Sequence, residues 1–321
     1  MSAVQPFTED HHSWDRIVTS LQHANIFASH AWSTIQGRSG WITHRFVAAD
    51  RSFAFQLFAK NVSRLCSVCW VPGGILGSGF ALDGQLARTL HSYFDSWCSY
   101  LRISFPYEVG DALPQDGSWQ PAESSLSAKQ SVVIDLQQSP ETLIQAMGPN
   151  WRRNLKRSQR TAFVVRELED GDLYAVDLLE EGTARQKALK LNPTRRASDV
   201  IRSLGDSAVV IGVFDTSGQL VSVRGASLIA REARDLVSAT STKGRRQYAS
   251  YRATWDLINV LLQRQIQTYD LAGFDPETNP GVADFKRGTG GVVVVYGGEF
   301  VHSKPTLLRS PMDIVLKVRS A

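Results

Sequence analysis

Between Thr268 and Gly298 the chain reads TYDLAGFDPETNPGVADFKRGTGGVVVVYGG, a short apolar strand, a Gly/Asp/Pro-rich loop carrying a lone Phe285-Lys286 pair, and a second strand. An ammonium offered at the mouth of a sheet suits a reaction in which negative charge develops on a carbonyl oxygen or is carried by a phosphate. The same two residues also read as a surface lysine beside a core phenylalanine, and the residues alone leave both open. Asp270 and Asp275, with Glu277, lie on or after the strand leading to Lys286 and offer a carboxylate to accept a proton, directly or through water. Asp270 reads equally well as a structural residue at a strand end. Arg245 and Arg246 stand just before a helix that starts near Tyr248, where a helix N-terminus and two guanidiniums can meet a phosphate. Their alternative is a solvated loop.

A second concentration of charge lies between Arg152 and Arg160. Arg152, Arg153, Lys156, Arg157 and Arg160 fall on adjoining strips of one helical face, opposite Trp151 and Leu155. Such a face meets phosphates or is simply solvated. Arg185, on the next helix, is a candidate for a bidentate contact to a carboxylate or phosphate, or for pairing with Glu180 or Glu181. Other chemistries are poorly served. The seven histidines show no ligand spacing, so no metal site is expected. No Gly-x-Ser-x-Gly elbow is present and Cys98 falls on an expected apolar helix, which leaves no nucleophile triad. Cys66, Cys69 and Cys98 are odd in number and set in apolar surroundings, which fits three free thiols in a reducing compartment.

These residues need a scaffold, and the chain spells one out twice. Helical patterns near Trp14–Ala24 and Ser29–Gln36 are followed by strands near Ile42–Ala48, Phe53–Ala59 and Leu65–Val71, the glycine-rich loop Gly73–Gly79, a helix near Gln85–Leu101 and a strand near Ile103–Glu108. The second half repeats this order. Helices near Pro140–Gln159 and Leu173–Leu189 precede strands near Ala208–Phe214, Gln219–Ile229 and Arg234–Thr240. The loop Ser241–Gln247, a helix with Tyr248, Tyr251, Trp255, Ile258 and Leu262 on its apolar stripe, and the strand Thr268–Ala272 complete it. Gly148-Pro149 interrupts the first of these helices. The expected architecture is α/β (α+β), with two similarly folded domains, 1–135 and 136–305, and a strand within 306–321 returning to the first.

At 321 residues, 43% hydrophobic and 21% charged, the chain is long enough for two ordinary globular cores. Its net charge of +4 excludes a general polyanion binder while leaving room for one local basic face. No apolar run approaches the ~18 residues that cross a bilayer. The start, MSAVQPFTEDHHSWDR, lacks the apolar core of a secretory signal, so a cytoplasmic location is expected, with peripheral membrane contact left open.

Several phrases, taken in order, carry a resemblance: Asn25-Ile-Phe-Ala-Ser29 with Trp32, Trp70-Val-Pro-Gly73, Val132-Val-Ile-Asp-Leu136, Arg152-Arg153-Asn154-Leu155-Lys156, Tyr269-Asp-Leu-Ala-Gly273 and Phe285-Lys-Arg-Gly-Thr-Gly-Gly291. Spanning nearly the whole chain, they resemble the tandem-GNAT acyltransferases of the Fem-type peptidyltransferase family. The resemblance implies two tandem GNAT-like domains, each a mixed, mostly antiparallel sheet flanked by helices. It implies transfer of an acyl or aminoacyl group from aminoacyl-tRNA or acyl-CoA to an amine on a cell-envelope, peptidoglycan or exopolysaccharide precursor. The donor is then a co-substrate, with no tightly bound cofactor and no DNA partner. Lys286, Asp270 and Asp275 become the catalytic candidates; Phe285, Arg245, Arg246 and Tyr248 bind the donor; Arg153, Lys156, Arg185, Trp32 and Gly73 bind the acceptor. The chain departs from the family in three places. No segment has the period of a long paired-helix arm, Ser33–Gln36 lacks the lysine some members present to a nucleotide-linked acceptor, and Arg246–Tyr251 lacks the glycine-rich pattern of acyl-CoA users. Two other readings therefore stand beside it: an acyl-CoA-dependent acetyltransferase acting on a small amine or amino sugar, and an inactive RNA- or glycan-binding module.

Overall fold

The computed structural model describes residues 3–63, 66–94, 97–109, 116–186 and 196–312, which form two compact units, Met1–Gln130 with Val294–Ala321 and Ser131–Val293. The first unit contains β1 (Val4–Pro6), α1 (His11–Ser20), α2 (His30–Arg38), β2 (Ile42–Ala48), β3 (Phe53–Asn61), β4 (Cys66–Val71), β5 (Leu76–Gly77), α3 (Gly84–Phe94), β6 (Cys98–Phe105) and β7 (Gln120–Pro121). The second is built on β8 (Gln130–Asp135), α4 (Pro140–Ala146), α5 (Pro149–Gln159), β9 (Val164–Glu167), α6 (Leu173–Gln186), α7 (Ala197–Leu204), β10 (Ala208–Phe214), β11 (Leu220–Ile229) and β12 (Glu232–Thr240). It continues through α8 (Thr242–Arg246), α9 (Ala249–Gln263), β13 (Thr268–Gly273), α10 (Pro280–Arg287) and β14 (Val292–Val295), after which β15 (Gly298–Lys304) returns to the first sheet.

The sheets run β1-β2-β3-β4-β6-β15-β7 and β14-β8-β13-β12-β11-β10-β9. Each has the same heart: an antiparallel meander, a helical crossover to a parallel neighbour, then an antiparallel strand beyond it. A crossover is obligatory here because parallel neighbours cannot be joined by a tight hairpin. In the second unit α9 lays Leu257, Ile258 and Leu261 on one face of the sheet, while α6 and α7 bury Val176, Leu179 and Val200 on the other. The first unit closes around Phe46, Phe55, Leu57, Leu101 and Phe105.

The structure differs from the sequence expectation in several places. The helix expected through Leu101 stops at Phe94 among the described residues, because Cys98–Ile103 zips onto β4; Trp97, within that expected helix, is 69% exposed. That parallel register sets Cys66 beside Cys98, and the two are joined as a disulfide, leaving Cys69 as the free thiol. Burial pushes the Cys69 thiol up to about 12, so it is a packing residue rather than a nucleophile. The loop expected at Ser241–Gln247 contains α8, capped by Ser241. The Phe285-Lys286 pair sits on α10, whose start is set by the Asn279 cap and by Pro280 in the first turn. The segment that returns to the first sheet is Gly298–Lys304; residues 306–312 are helical, and 313–321 lie outside the described residues. No described helix is long and apolar enough to cross a membrane.

Candidate active site

The parallel pair β12/β13 holds together for only three rungs, Glu232–Thr268, Ala233–Tyr269 and Arg234–Asp270; beyond that both strands continue unpaired with each other. Each is irregular just past the last rung. On β12 the register against β11 slips between Asp235 and Val237, so Leu236 is an inserted residue. On β13 the register against β8 slips between Asp270 and Gly273, with Ala272 at a φ of 59°. A bulge ends pairing and re-aims the backbone, and a left-handed alanine needs support from its surroundings. The two bulges make a fork.

Side chains tie the fork on both faces. Because neighbours along a strand point to opposite sides, Arg234 and Asp270 meet on one face, and Asp235 and Tyr269 meet on the other. Arg234 donates to Asp270 at 2.5 Å, and Asp270 also accepts from the Ala272 amide at 2.8 Å and from the Ser131 hydroxyl. Opposite, the Tyr269 hydroxyl donates to Asp235 at 2.8 Å, and the Arg224 guanidinium donates to both Asp235 oxygens at 3.0 and 2.9 Å. Burial raises Asp235, against the pull of Arg224 and Lys286. Burial, then the Asp235 charge, keeps the Tyr269 phenol protonated. Removing one partner of so buried a pair strands the other charge in a low-dielectric interior.

Lys286 completes the fork. Its side chain is buried, and the ammonium donates to three consecutive carbonyls, Leu271 at 2.6 Å, Ala272 at 3.1 Å and Gly273 at 2.9 Å. An ammonium has three protons, so all of them are engaged on the β13 bulge. The sequence expectation of a cation standing open at a sheet mouth therefore meets a different geometry, in which Lys286 fixes the backbone that forms one prong. Burial lowers Lys286 from 10.5 to about 8, with Asp235 opposing the shift. Phe285 packs on Trp151 and Tyr251 at ring distances of 5.7 and 5.1 Å, and the Arg224 guanidinium stands 5.6 Å from its ring. Trp151 donates to the Phe285 carbonyl at 3.1 Å. The following glycines fit by close approach: a Cβ on Gly290 would lie 2.6 Å from the Ala146 carbonyl.

The remaining expected residues fall into separate groups. Asp275 is exposed and bonds its own turn, accepting from the Glu277 amide and the Thr278 hydroxyl, both at 2.9 Å. Tyr248 stands at the left-handed entry to α9 and accepts from Arg157 at 2.9 Å, which joins it to the basic helix α5. Arg153 and Lys156 are exposed on that helix. Arg245 contacts Gln186 beside the exposed Arg185, and Arg246 is exposed. The amides of Gly244, Arg245, Gln247 and Tyr248 are bonded within Ser241–Tyr248, so these four N–H groups are taken and do not offer themselves to a diphosphate. In the first unit Trp32 is buried with its ring 4.9 Å from that of Phe27. Gly73 lies against the same stretch, its carbonyl accepting from Asn25 at 2.8 Å; a Cβ there would meet the Asn25 side-chain oxygen at 2.7 Å.

Sequence reasoning missed Arg224, Asp235 and Arg234. A signal was present: Arg224 interrupts the apolar run Leu220–Val223, where a charge on a central strand needs a buried partner.

Two sheets, each with a meander and a crossover to a parallel strand, define a tandem GNAT-like fold. Solved structures agree. FemX superposes with a TM-score of 0.81 at 13% identity over 96% of this chain and 100% of that one. L-PGS from Bacillus licheniformis gives 0.60 at 13% over 97% and 96%, and a tandem GNAT protein from the clavulanic acid biosynthesis pathway gives 0.54 at 12% over 95% and 99%. A search of curated proteins finds no match. Residues 214–308, which contain the fork and Lys286, match the model of the FemAB family, and the expected tandem GNAT-like fold is borne out.

Proposed function

We propose that the chain transfers an acyl or aminoacyl group from an activated carrier, aminoacyl-tRNA or acyl-CoA, to an amine on a cell-envelope or exopolysaccharide precursor, by direct attack of the amine. The observation that carries this reading is the fork. Past Arg234 and Asp270 the edge of β12 that faces away from β11 is released from pairing with β13, and an extended carrier with an ester or thioester carbonyl finds main-chain donors there. Held in such a slot, the carbonyl needs only an amine brought alongside in the right orientation, and no covalent intermediate.

In this reading Lys286 is a positioning residue that shapes the slot by gathering the Leu271, Ala272 and Gly273 carbonyls. Its charge adds a positive potential beside the reacting carbonyl. Asp270 serves the same backbone through Arg234 and Ser131, which argues against using it as the base. Phe285 forms the packed floor, and Arg245, Arg246 and Tyr248 meet the carrier from the α8 turn. Because the Gly244, Arg245, Gln247 and Tyr248 amides bond internally, a carrier whose phosphates are met by the arginine side chains suits this turn better than one that needs those four N–H groups. Arg185, exposed at the end of α6, is assigned to the acceptor.

The test is a transfer assay by mass spectrometry: purified protein, a mixture of aminoacyl-tRNAs or of acyl-CoAs, and an amine-bearing envelope precursor. The reading predicts a mass increase on the precursor from one carrier class and, for Lys286→Met, a loss of about a hundredfold or more in rate. Transfer at the parent rate by Lys286→Met would contradict the assignment.

A further inference from the structure

Two groups of arginines in the second unit are held in different ways. Arg166, Arg202, Arg224, Arg234, Arg252 and Arg264 are each held by a carboxylate, at Asp172, Asp170, Asp235, Asp270, Asp256 and Glu167. Those on α5 are anchored differently. Arg152 donates to the Gln145 and Met147 carbonyls at 2.7 and 2.6 Å, Arg153 to the Asn150 side-chain oxygen at 2.8 Å, and Arg157 to the Tyr248 hydroxyl at 2.9 Å. A neutral oxygen orders a guanidinium without cancelling its charge. With exposed Lys156 and Arg160, these side chains cover roughly 140° of the helix, opposite the buried Trp151, Leu155 and Ser158. No acidic residue occurs from Pro149 to Arg166, nor from Leu236 to Trp255, the stretch that carries the neighbouring α8 turn. In a chain whose net charge is only +4, this is a segregated positive surface of ordered side chains.

We propose that the outer face of α5 is a docking surface for an anionic lipid bilayer. Its shape favours a flat partner, since the cations stand on a convex helix rather than in a groove that tracks a strand. It also lacks the exposed aromatic platforms on which unpaired bases stack. Tyr248, an aromatic at its border, is half-buried, with its hydroxyl taken by Arg157 and the guanidinium 5.4 Å from its ring. The apolar residues of α5 face inward, so contact with a bilayer is electrostatic adsorption, reversible and salt-sensitive, without insertion. This inference stands apart from the transfer reading: either can fail alone.

Sedimentation of the full chain with phosphatidylcholine vesicles, with and without added phosphatidylglycerol, tests it. Binding is expected only to the anionic vesicles, and it should weaken steeply as salt is raised. Each cation near such a surface contributes about fivefold, so Arg153→Ala/Lys156→Ala/Arg160→Ala together should weaken binding on the order of a hundredfold. Arg264→Ala, which breaks an exposed pair with Glu167 elsewhere in the unit, should change little. All three are surface positions, and matched thermal unfolding of the triple variant confirms that the fold is kept. Equal binding to both vesicle types, or equal binding by parent and triple variant, overturns the proposal. So does absence of vesicle binding alongside salt-sensitive binding of a transfer-RNA mixture that the triple variant loses, which would give this face to RNA.

Discussion

The two parallel strand pairs of the molecule have the same topology and opposite outcomes. In the first unit β4 and β6 run together for six rungs, from Cys66–Cys98 to Val71–Ile103, and Trp70 donates across the pair to the Ser104 hydroxyl at 3.0 Å. In the second, β12 and β13 part after three rungs at a pair of bulges, and buried charges hold the parting in place. The first unit also buries an ion pair, Arg102 with Glu299, but it sits where β6 and β15 are fully laddered, and the Leu126 and Ser127 amides satisfy the carboxylate at 3.1 and 2.8 Å. One architecture thus gives a closed sheet or an open slot, according to where the ladder stops. The open one lies within the stretch that matches the FemAB family.

Perturbing each side separately sharpens the contrast. The largest effect is expected from Glu299→Ala, which strands a buried Arg102 and should destabilise the first unit by about 3–5 kcal/mol in denaturant unfolding. A variant that stays folded and yet loses all transfer would assign the chemistry to the wrong unit. Tyr269→Phe removes one hydrogen bond to Asp235 and should cost about 1–3 kcal/mol. Its effect on transfer should exceed that of Tyr100→Phe, a buried phenol in the first sheet. Ala272→Val places a β-branched side chain at a left-handed position and should cost about 1–2 kcal/mol, whereas Ala272→Gly keeps the bulge and should be neutral or mildly stabilising. If Ala272→Val leaves both stability and transfer untouched, the bulge does not shape the slot.

The smallest change is one of pH. Lys286 holds its carbonyls as an ammonium, so transfer should fall as pH rises through about 8, and Lys286→Arg should move that limb upward. Stability should go the other way. The folded value lies below the ordinary 10.5, so between about 8 and 10.5 the unfolded chain binds more protons, and this residue's contribution to stability rises with pH. A transfer profile flat across pH 8 would remove the clamp from the mechanism.

Much of this architecture is legible in the residues. The repeated order of helices, meander, crossover and strand follows from periodicity, which depends only on neighbours along the chain. The fork does not, because it depends on register between segments far apart in sequence: Arg224 with Asp235, Arg234 with Asp270, Ser131 with Ala272. The Cys66–Cys98 pairing was hidden for the same reason, since period alone ran α3 through Cys98. At Lys286 the local signal was available and outweighed. Asn279 followed by Pro280 announces a helix start, yet the glycines and Asp275-Pro276 around it read as a continuous loop. A sequence motif located the residue and missed its direction, because a carbonyl cluster made by one bulge has no sequence signature.

Backbone hydrogen exchange read by mass spectrometry, with and without a donor mixture of aminoacyl-tRNA or acyl-CoA, tests the central claim most directly. The account predicts slower exchange across Leu236–Thr240 and Leu271–Gly273 when the donor binds, with Cys66–Val71 and Cys98–Phe105 unchanged. Protection confined to the first unit's strand pair, with Leu236–Thr240 exchanging as in the free protein, would contradict it.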